Sequence, residues 1–180
     1  GSAELDALKR HDGALHSALT EQLQGVDVNL SQRVGNDKSV SLLMAFLAAA
    51  VPENLRSLDV SDNVLGSRGA TALYHCLRTH SLGQLTTLSL HNTKLGDSGL
   101  ASLTEVNKGK DRKPSTEVLS GLRVLELHSN SIGNDGLKAL ANNFGRGYMP
   151  QLAHLDLRWN VIDAGGLAIL AEVALAAPLC

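Results

Sequence analysis

Aromatic residues are nearly missing from this 180-residue chain: one Trp, two Tyr and two Phe, 3% in all. An interior without rings must be assembled from Leu, Ala and Val, a composition suited to regular stacked layers. Cysteine is scarce too. Cys76 and Cys180 are the two present, too few for a disulfide framework and without the clustering that seals small extracellular domains. No secretory h-region opens the chain, and no apolar run reaches about 18 residues. These absences point to a cytoplasmic, reducing setting with no membrane partner. Charge nearly cancels, at 16 Lys and Arg against 18 Asp and Glu, so a formal net charge of -2 gives no pull toward nucleic acid. Enzyme signatures are missing as well. There is no phosphate-cradling glycine loop, no GxSxG elbow, no HExxH and no CxxC. No catalytic residue, cofactor or metal is expected.

What is abundant is leucine in register. The pattern LxxLxLxxNxLxxxGLxxL recurs from Leu55, Leu85, Leu122 and Leu152. Within each copy, Leu58 and Val60, Leu88 and Leu90, Leu125 and Leu127, and Leu155 and Leu157 alternate with polar residues, the period of a strand with one buried face. Asn63, Thr93, Asn130 and Asn160 follow, where a buried amide can serve the backbone of a turn that has no ladder of its own; Thr93 can satisfy fewer partners. A glycine then recurs at Gly69, Gly99, Gly136 and Gly166, read as a turn residue leading into Leu100 and Leu103, Leu137 and Leu140, and Leu167 and Leu170 at helical spacing. Each copy is a strand, a turn and a helix. Counting back 30 residues from Leu58 reaches Val28, so VNLSQRVG starts a degenerate first copy that keeps Leu30, Leu43 and Leu47.

These motifs resemble the leucine-rich repeat family, in its ribonuclease-inhibitor-like class, across roughly residues 25 to 177. The resemblance implies an α/β solenoid with a concave parallel β-sheet and convex helices. It also implies a working mode, since relatives such as ribonuclease inhibitor, tropomodulin and the sensor regions of NOD-like receptors act by holding another protein. A non-catalytic scaffold or adaptor module, cytosolic or cytoskeletal, is the expectation. The alternative is a GTPase-activating domain resembling the Ran GTPase-activating protein, although no family-specific residue carries over, and a segment of an immune-type sensor is a third reading.

The domain plan follows. Residues 1–2 read as an expression scar, with the chain a fragment of a larger protein. Residues 3–24, with Leu5, Leu8, Leu15, Leu19 and Leu23 near helical spacing, read as an N-terminal capping helix, and 25–180 as the repeat domain. An inserted loop at about 105–118 carries Lys108, Lys110, Arg112 and Lys113 before Pro114, either a solvated loop or a basic docking element. At the far end LAILAEVALAAPLC stays apolar and brings no polar cap, so the protein continues there or meets a partner.

The polar residues between strand leucines form columns across the sheet. Asn29, Asp59, Ser89, Glu126 and Asp156 make an acidic row; Ser31, Ser61, His91, His128 and Arg158 the next; Gln32, Asp62, Asn92, Ser129 and Trp159 the third. Asp59, His91, Glu126, His128, His154, Asp156, Arg158 and Trp159 are the expected partner-binding residues. Trp and Arg are enriched at interaction hot spots, which singles out the Arg158-Trp159 pair, against the plainer reading that the ring covers a neighbouring turn. His91 and His128 beside Glu126 raise the thought of a zinc site. His154 lies four residues back along its strand, roughly 13 Å at about 3.3 Å per residue, too far to complete it.

Overall fold

A computed structural model describes residues 2–22, 25–33, 40, 43, 54–79, 84–104 and 119–176. The elements run α1 (Ser2–His11), α2 (Gly13–Gln22), β1 (Asp27–Asn29), β2 (Ser57–Asp59), α3 (Gly66–Thr79), β3 (Thr87–Ser89), α4 (Gly96–Leu103), β4 (Val124–Glu126), α5 (Asn134–Phe144), β5 (His154–Asp156) and α6 (Ala164–Ala176). The five strands form one parallel sheet in chain order. Their register places Val28, Leu58, Leu88, Leu125 and Leu155 opposite one another, as the leucine spacing requires. Each strand is only three residues long, because the central leucine is what must be buried; the residues on either side of it face the open surface of the sheet.

The inward side chains form one continuous core. Leu55, Leu58, Val60, Leu88, Leu90, Leu125 and Leu127 join Leu73, Leu77, Leu100, Leu103, Leu137 and Leu140 from the helices. Cys76 is buried among them and its thiol is pushed up to about 11 by burial, so it behaves as a small hydrophobe. Of the stretch expected as an N-terminal capping helix over 3–24, the described part, to Gln22, forms two helices, α1 and α2. The break falls at Asp12, whose carboxylate accepts the Leu15 N–H at 3.0 Å and starts α2 afresh. Leu8, Leu15 and Leu19 still enter the core beside Val28 and Leu30.

The asparagine column is a spine of buried amides. Asn63 Nδ2 donates to Val60 O in its own turn and to Leu30 O one repeat back, at 2.8 and 2.9 Å. Asn130 Nδ2 does the same toward Leu127 O and Leu90 O, and its Oδ1 accepts the N–H groups of Thr93 and Leu95. The Thr93 hydroxyl lies 2.8 Å from Leu90 O and 3.0 Å from Asn130 Oδ1, with a single hydrogen to share between them.

The recurring glycine has a different role from the turn residue expected. Gly69, Gly99, Gly136 and Gly166 lie inside the first turn of their helices, where closeness is the constraint: a Cβ on Gly136 would sit 2.5 Å from Asp97 Oδ1, and one on Gly166 2.3 Å from Asn134 Oδ1. Asp97 uses that closeness to accept the Gly133 and Gly136 N–H groups, so a carboxylate from one repeat finishes the helix start of the next. The turn glycines are Gly66 and Gly96, with φ of 56° and 61°.

Leu47, the basic run Lys108, Lys110, Arg112 and Lys113, and the last four residues, with Cys180, lie outside the described residues. Among the described residues, no helix is long and apolar enough to cross a membrane.

Candidate binding site on the concave face

Parallel pairing brings the three polar columns side by side, and the C-terminal strands make them into a connected row. Asp62 begins it, with Oδ2 3.6 Å from His91 Nε2. His91 turns its Nδ1 toward Ser89 Oγ at 3.1 Å, and Ser89 Oγ donates to Glu126 Oε2 at 2.5 Å. The His91 ring stacks on His128, with centroids 4.3 Å apart and planes within 9°. His128 Nδ1 stands 3.2 Å from Asp156 Oδ2 without the alignment of a hydrogen bond, and among the described residues no other partner meets this buried nitrogen. Asp156 is instead taken by Arg158, which donates from Nε and Nη2 in a bidentate fork with a shortest distance of 2.6 Å. Trp159 closes the row: its ring meets His128 edge-on at 5.7 Å, and the Arg158 guanidinium carbon lies 5.4 Å from its centroid.

The electrostatics follow from these contacts. The Arg158 fork, helped by the Arg158 N–H, holds the Asp156 carboxyl far below the usual carboxylate range despite burial, and the ion pair raises Arg158 in return. Hydrogen bonding from Asn92 Nδ2, at 2.8 Å, is the main reason that Asp62 also titrates below its ordinary value. Asp59 accepts from Asn29 Nδ2 and from the Ser61 N–H and hydroxyl.

Seven of the eight expected residues are thereby placed in, or one column from, the connected row; His154, exposed at the start of β5, stands apart from it. Two details differ from a freely presented acidic ribbon. Asp156 is only 6% exposed and already neutralised by Arg158, and Ser61 is fully buried beneath Asp59. Neither is available to a partner, and the charge left open lies on Asp59, Asp62 and Glu126. The sequence reading passed over Ser89 and Asp62 as site residues; their place beside His91 needs the sheet register to be seen.

It also passed over the backbone of the third column. Gln32, Asp62, Asn92, Ser129 and Trp159 all adopt positive φ, between 52° and 58°. Asn and Asp tolerate this left-handed conformation, whereas a tryptophan there is strained. Trp159 is nevertheless 74% exposed, so burial does not compensate it. Among the described residues no group of three or more His, Cys, Asp and Glu side chains is arranged to hold a metal ion.

The spacing, the parallel register and the amide spine accord with a family model described as a Leucine Rich repeat, which matches residues 51–73, 121–141 and 149–171. The fold is a leucine-rich repeat solenoid. Its sheet is the concave face and its helices the convex one. No curated protein matches the chain. Among solved structures, an internalin from Listeria monocytogenes is similar at 20% identity and a TM-score of 0.37; the match covers 81% of this chain and 38% of that one.

Proposed function

We propose that this leucine-rich repeat solenoid is a non-catalytic scaffold or adaptor that holds a protein partner on its concave face, with Trp159 as the anchor. The observation that carries the proposal is the tryptophan itself. A left-handed backbone disfavours a bulky side chain by about 1 kcal/mol, and exposing an indole to water recovers nothing. Asp, Asn, Gln and Ser fill the same position in the other four repeats. A residue kept against local stability is suited to contact outside the domain. The Arg158 fork and the His128 edge hold the ring, so that a partner meets a pre-oriented surface and loses less side-chain entropy on docking.

Asp59, Asp62 and Glu126 add negative charge beside the ring, and the only cation in the connected row, Arg158, is occupied by Asp156. The favoured partner is therefore a protein segment carrying Lys or Arg next to an apolar or aromatic residue. A cytoplasmic location suits the buried free thiol of Cys76.

A displayed-peptide selection against the folded domain tests the proposal. Selected peptides are expected to be basic, and W159A to weaken them at least tenfold while R33A leaves them unchanged. Acidic peptides, or binding indifferent to W159A and D62N, would overturn it.

A further inference from the structure

The stacked histidines of the concave row are wired for one proton, and hydrogen bonding fixes where it goes. Ser89 Oγ has a single hydrogen and two neighbours, Glu126 Oε2 at 2.5 Å and His91 Nδ1 at 3.1 Å. The shorter contact is to a carboxylate, so the hydrogen lies there, and Oγ can meet Nδ1 only by accepting from it. His91 is therefore held with its hydrogen on Nδ1. In the neutral ring Nε2 is then an acceptor, and it faces another acceptor, Asp62 Oδ2, at 3.6 Å. Asp62 is fixed in that position: its Oδ1 accepts from Asn92 at 2.8 Å and its Oδ2 from Gln32 at 3.3 Å. A proton on Nε2 turns this opposition into a charge-assisted contact.

The second ring is poorly placed to compete. His128 Nδ1 faces Asp156 Oδ2 at 3.2 Å, but Asp156 is already spanned by the Arg158 fork. The two rings lie 4.3 Å apart and parallel within 9°, so a second imidazolium would repel the first across the stack. The groups that face His91 are thus Asp62 from the turn after β2, Ser89 on its own strand, and Glu126 and His128 from β4 and the residues after it. Asp59 stands one column away on β2, and Asp156 and Arg158 lie behind His128.

Two of these groups are open charges of the binding face. With His91 neutral, Asp62 and Glu126 are both free to attract a basic partner; with His91 protonated, they flank one cation at 3.6 and 4.0 Å. Asp62, held below its ordinary value chiefly by the Asn92 amide, keeps its negative charge through the range in which imidazoles titrate. The partner's cation and the proton then compete for the same carboxylates.

We propose that His91 is a proton switch on the concave face: one proton at Nε2 engages Asp62 and Glu126 and releases a basic partner, so the site holds near neutral pH and lets go in mildly acidic surroundings. The release rests on the concave-face reading of the function; the seat of the proton does not.

Two measurements separate the proton from the partner. In the free domain, imidazole nitrogen NMR at about pH 7.5 is expected to show the His91 hydrogen on Nδ1, with a second hydrogen on Nε2 by about pH 5.5. A neutral His91 with its hydrogen on Nε2 overturns the proposal, whether or not anything binds. So does a His128 that takes up a proton before His91. Binding is read with an alternating Arg-Leu octapeptide, whose affinity should fall about fivefold to tenfold from about pH 7.5 to about pH 5.5 as one proton is taken up per peptide released. In H91Q that ratio should collapse to near one, whereas H128Q should keep most of it. A ratio near one in the wild type, or one that survives H91Q, overturns the switch. No binding at either pH sinks the concave-face reading and the release with it, while the nitrogen NMR still decides where the proton sits.

Discussion

At β1 the outer layer of the solenoid is covered by α1 and α2, and Val28 and Leu30 are as buried as any interior residue; at β5 no described residue covers the corresponding side, and Leu155, Leu157 and Leu170 remain partly open. The two ends carry similar aliphatic residues in the same register. What differs is the neighbour. Burial in a stacked repeat is set by the layers on either side, so the same leucine is worth more inside the stack than at its edge, and stability is a sum over junctions. Two properties that the template confuses are thereby separated: fitness to form a strand and turn, which every repeat has, and cover by a layer on each side, which among the described residues β5 has on one side alone.

The largest test of this difference is a matched pair of truncations. Leu125→Ala removes a fully buried side chain with layers on both sides and is expected to lower the unfolding free energy by about 3 to 4 kcal/mol. Leu155→Ala, at the next strand and in direct register, should lower it by roughly half of that or less. Equal losses in chemical denaturation would refute the dependence on neighbours. The amide spine gives the next effect in size. Asn130→Ala strands the Thr93 and Leu95 N–H groups and the Leu90 and Leu127 carbonyls in a fully buried site and should cost about 2 to 3 kcal/mol; Asn160→Ala removes the equivalent bonds to Asn130, Ile132, Leu127 and Leu157 in a half-buried site and should cost about 1 to 2.

Most of this architecture was legible in the amino-acid order because its causes are periodic. The leucines at strand spacing, the asparagines after them and the 30-residue offset to Val28 all recur, and each recurrence has one physical reading. The recurring glycine was legible as a position and misread as a turn, since its cause is the side chain of a different repeat: Asp97 against Gly136, Asn134 against Gly166. Asp12 was missed for the opposite reason, being a single local break with nothing to repeat. At the site, the columns could be written down beforehand, but which members neutralise one another could not. Asp156 looks as available as Glu126 in a list of letters, and only the rotamer of Arg158 removes it.

That ion pair makes a pH prediction tied to the C-terminal repeat. The Asp156 carboxyl is depressed in the folded protein, so the stabilisation it supplies is complete above the unfolded value near 3.8 and is lost as pH falls toward the folded one. The stability difference between the wild type and Asp156→Asn should therefore be flat from pH 7 to about 5 and shrink progressively below about pH 4. Asp62, also depressed but hydrogen-bonded chiefly to a neutral amide, should show the same sign with a smaller span. A difference that grows on acidification would remove the Arg158 fork as its cause.

The smallest effect concerns the third column, where one backbone conformation is shared by five residues of unequal tolerance. Trp159→Asn exchanges a strained residue for one that accepts positive φ, at the loss of an edge contact to His128 and the stack on Arg158. Relief of about 1 kcal/mol against a loss of about 0.5 leaves a net gain of roughly 0.5 kcal/mol. The reciprocal change, Asn92→Trp in an interior repeat, places the same ring on the same backbone without the Arg158 fork beside it and also removes the amide bond to Asp62, so it should lower stability by about 1 kcal/mol or more. Opposite signs for the two substitutions would locate the strain in the backbone position and leave binding as the reason a tryptophan stands there; a destabilised Trp159→Asn would mean that the ring is part of the fold after all.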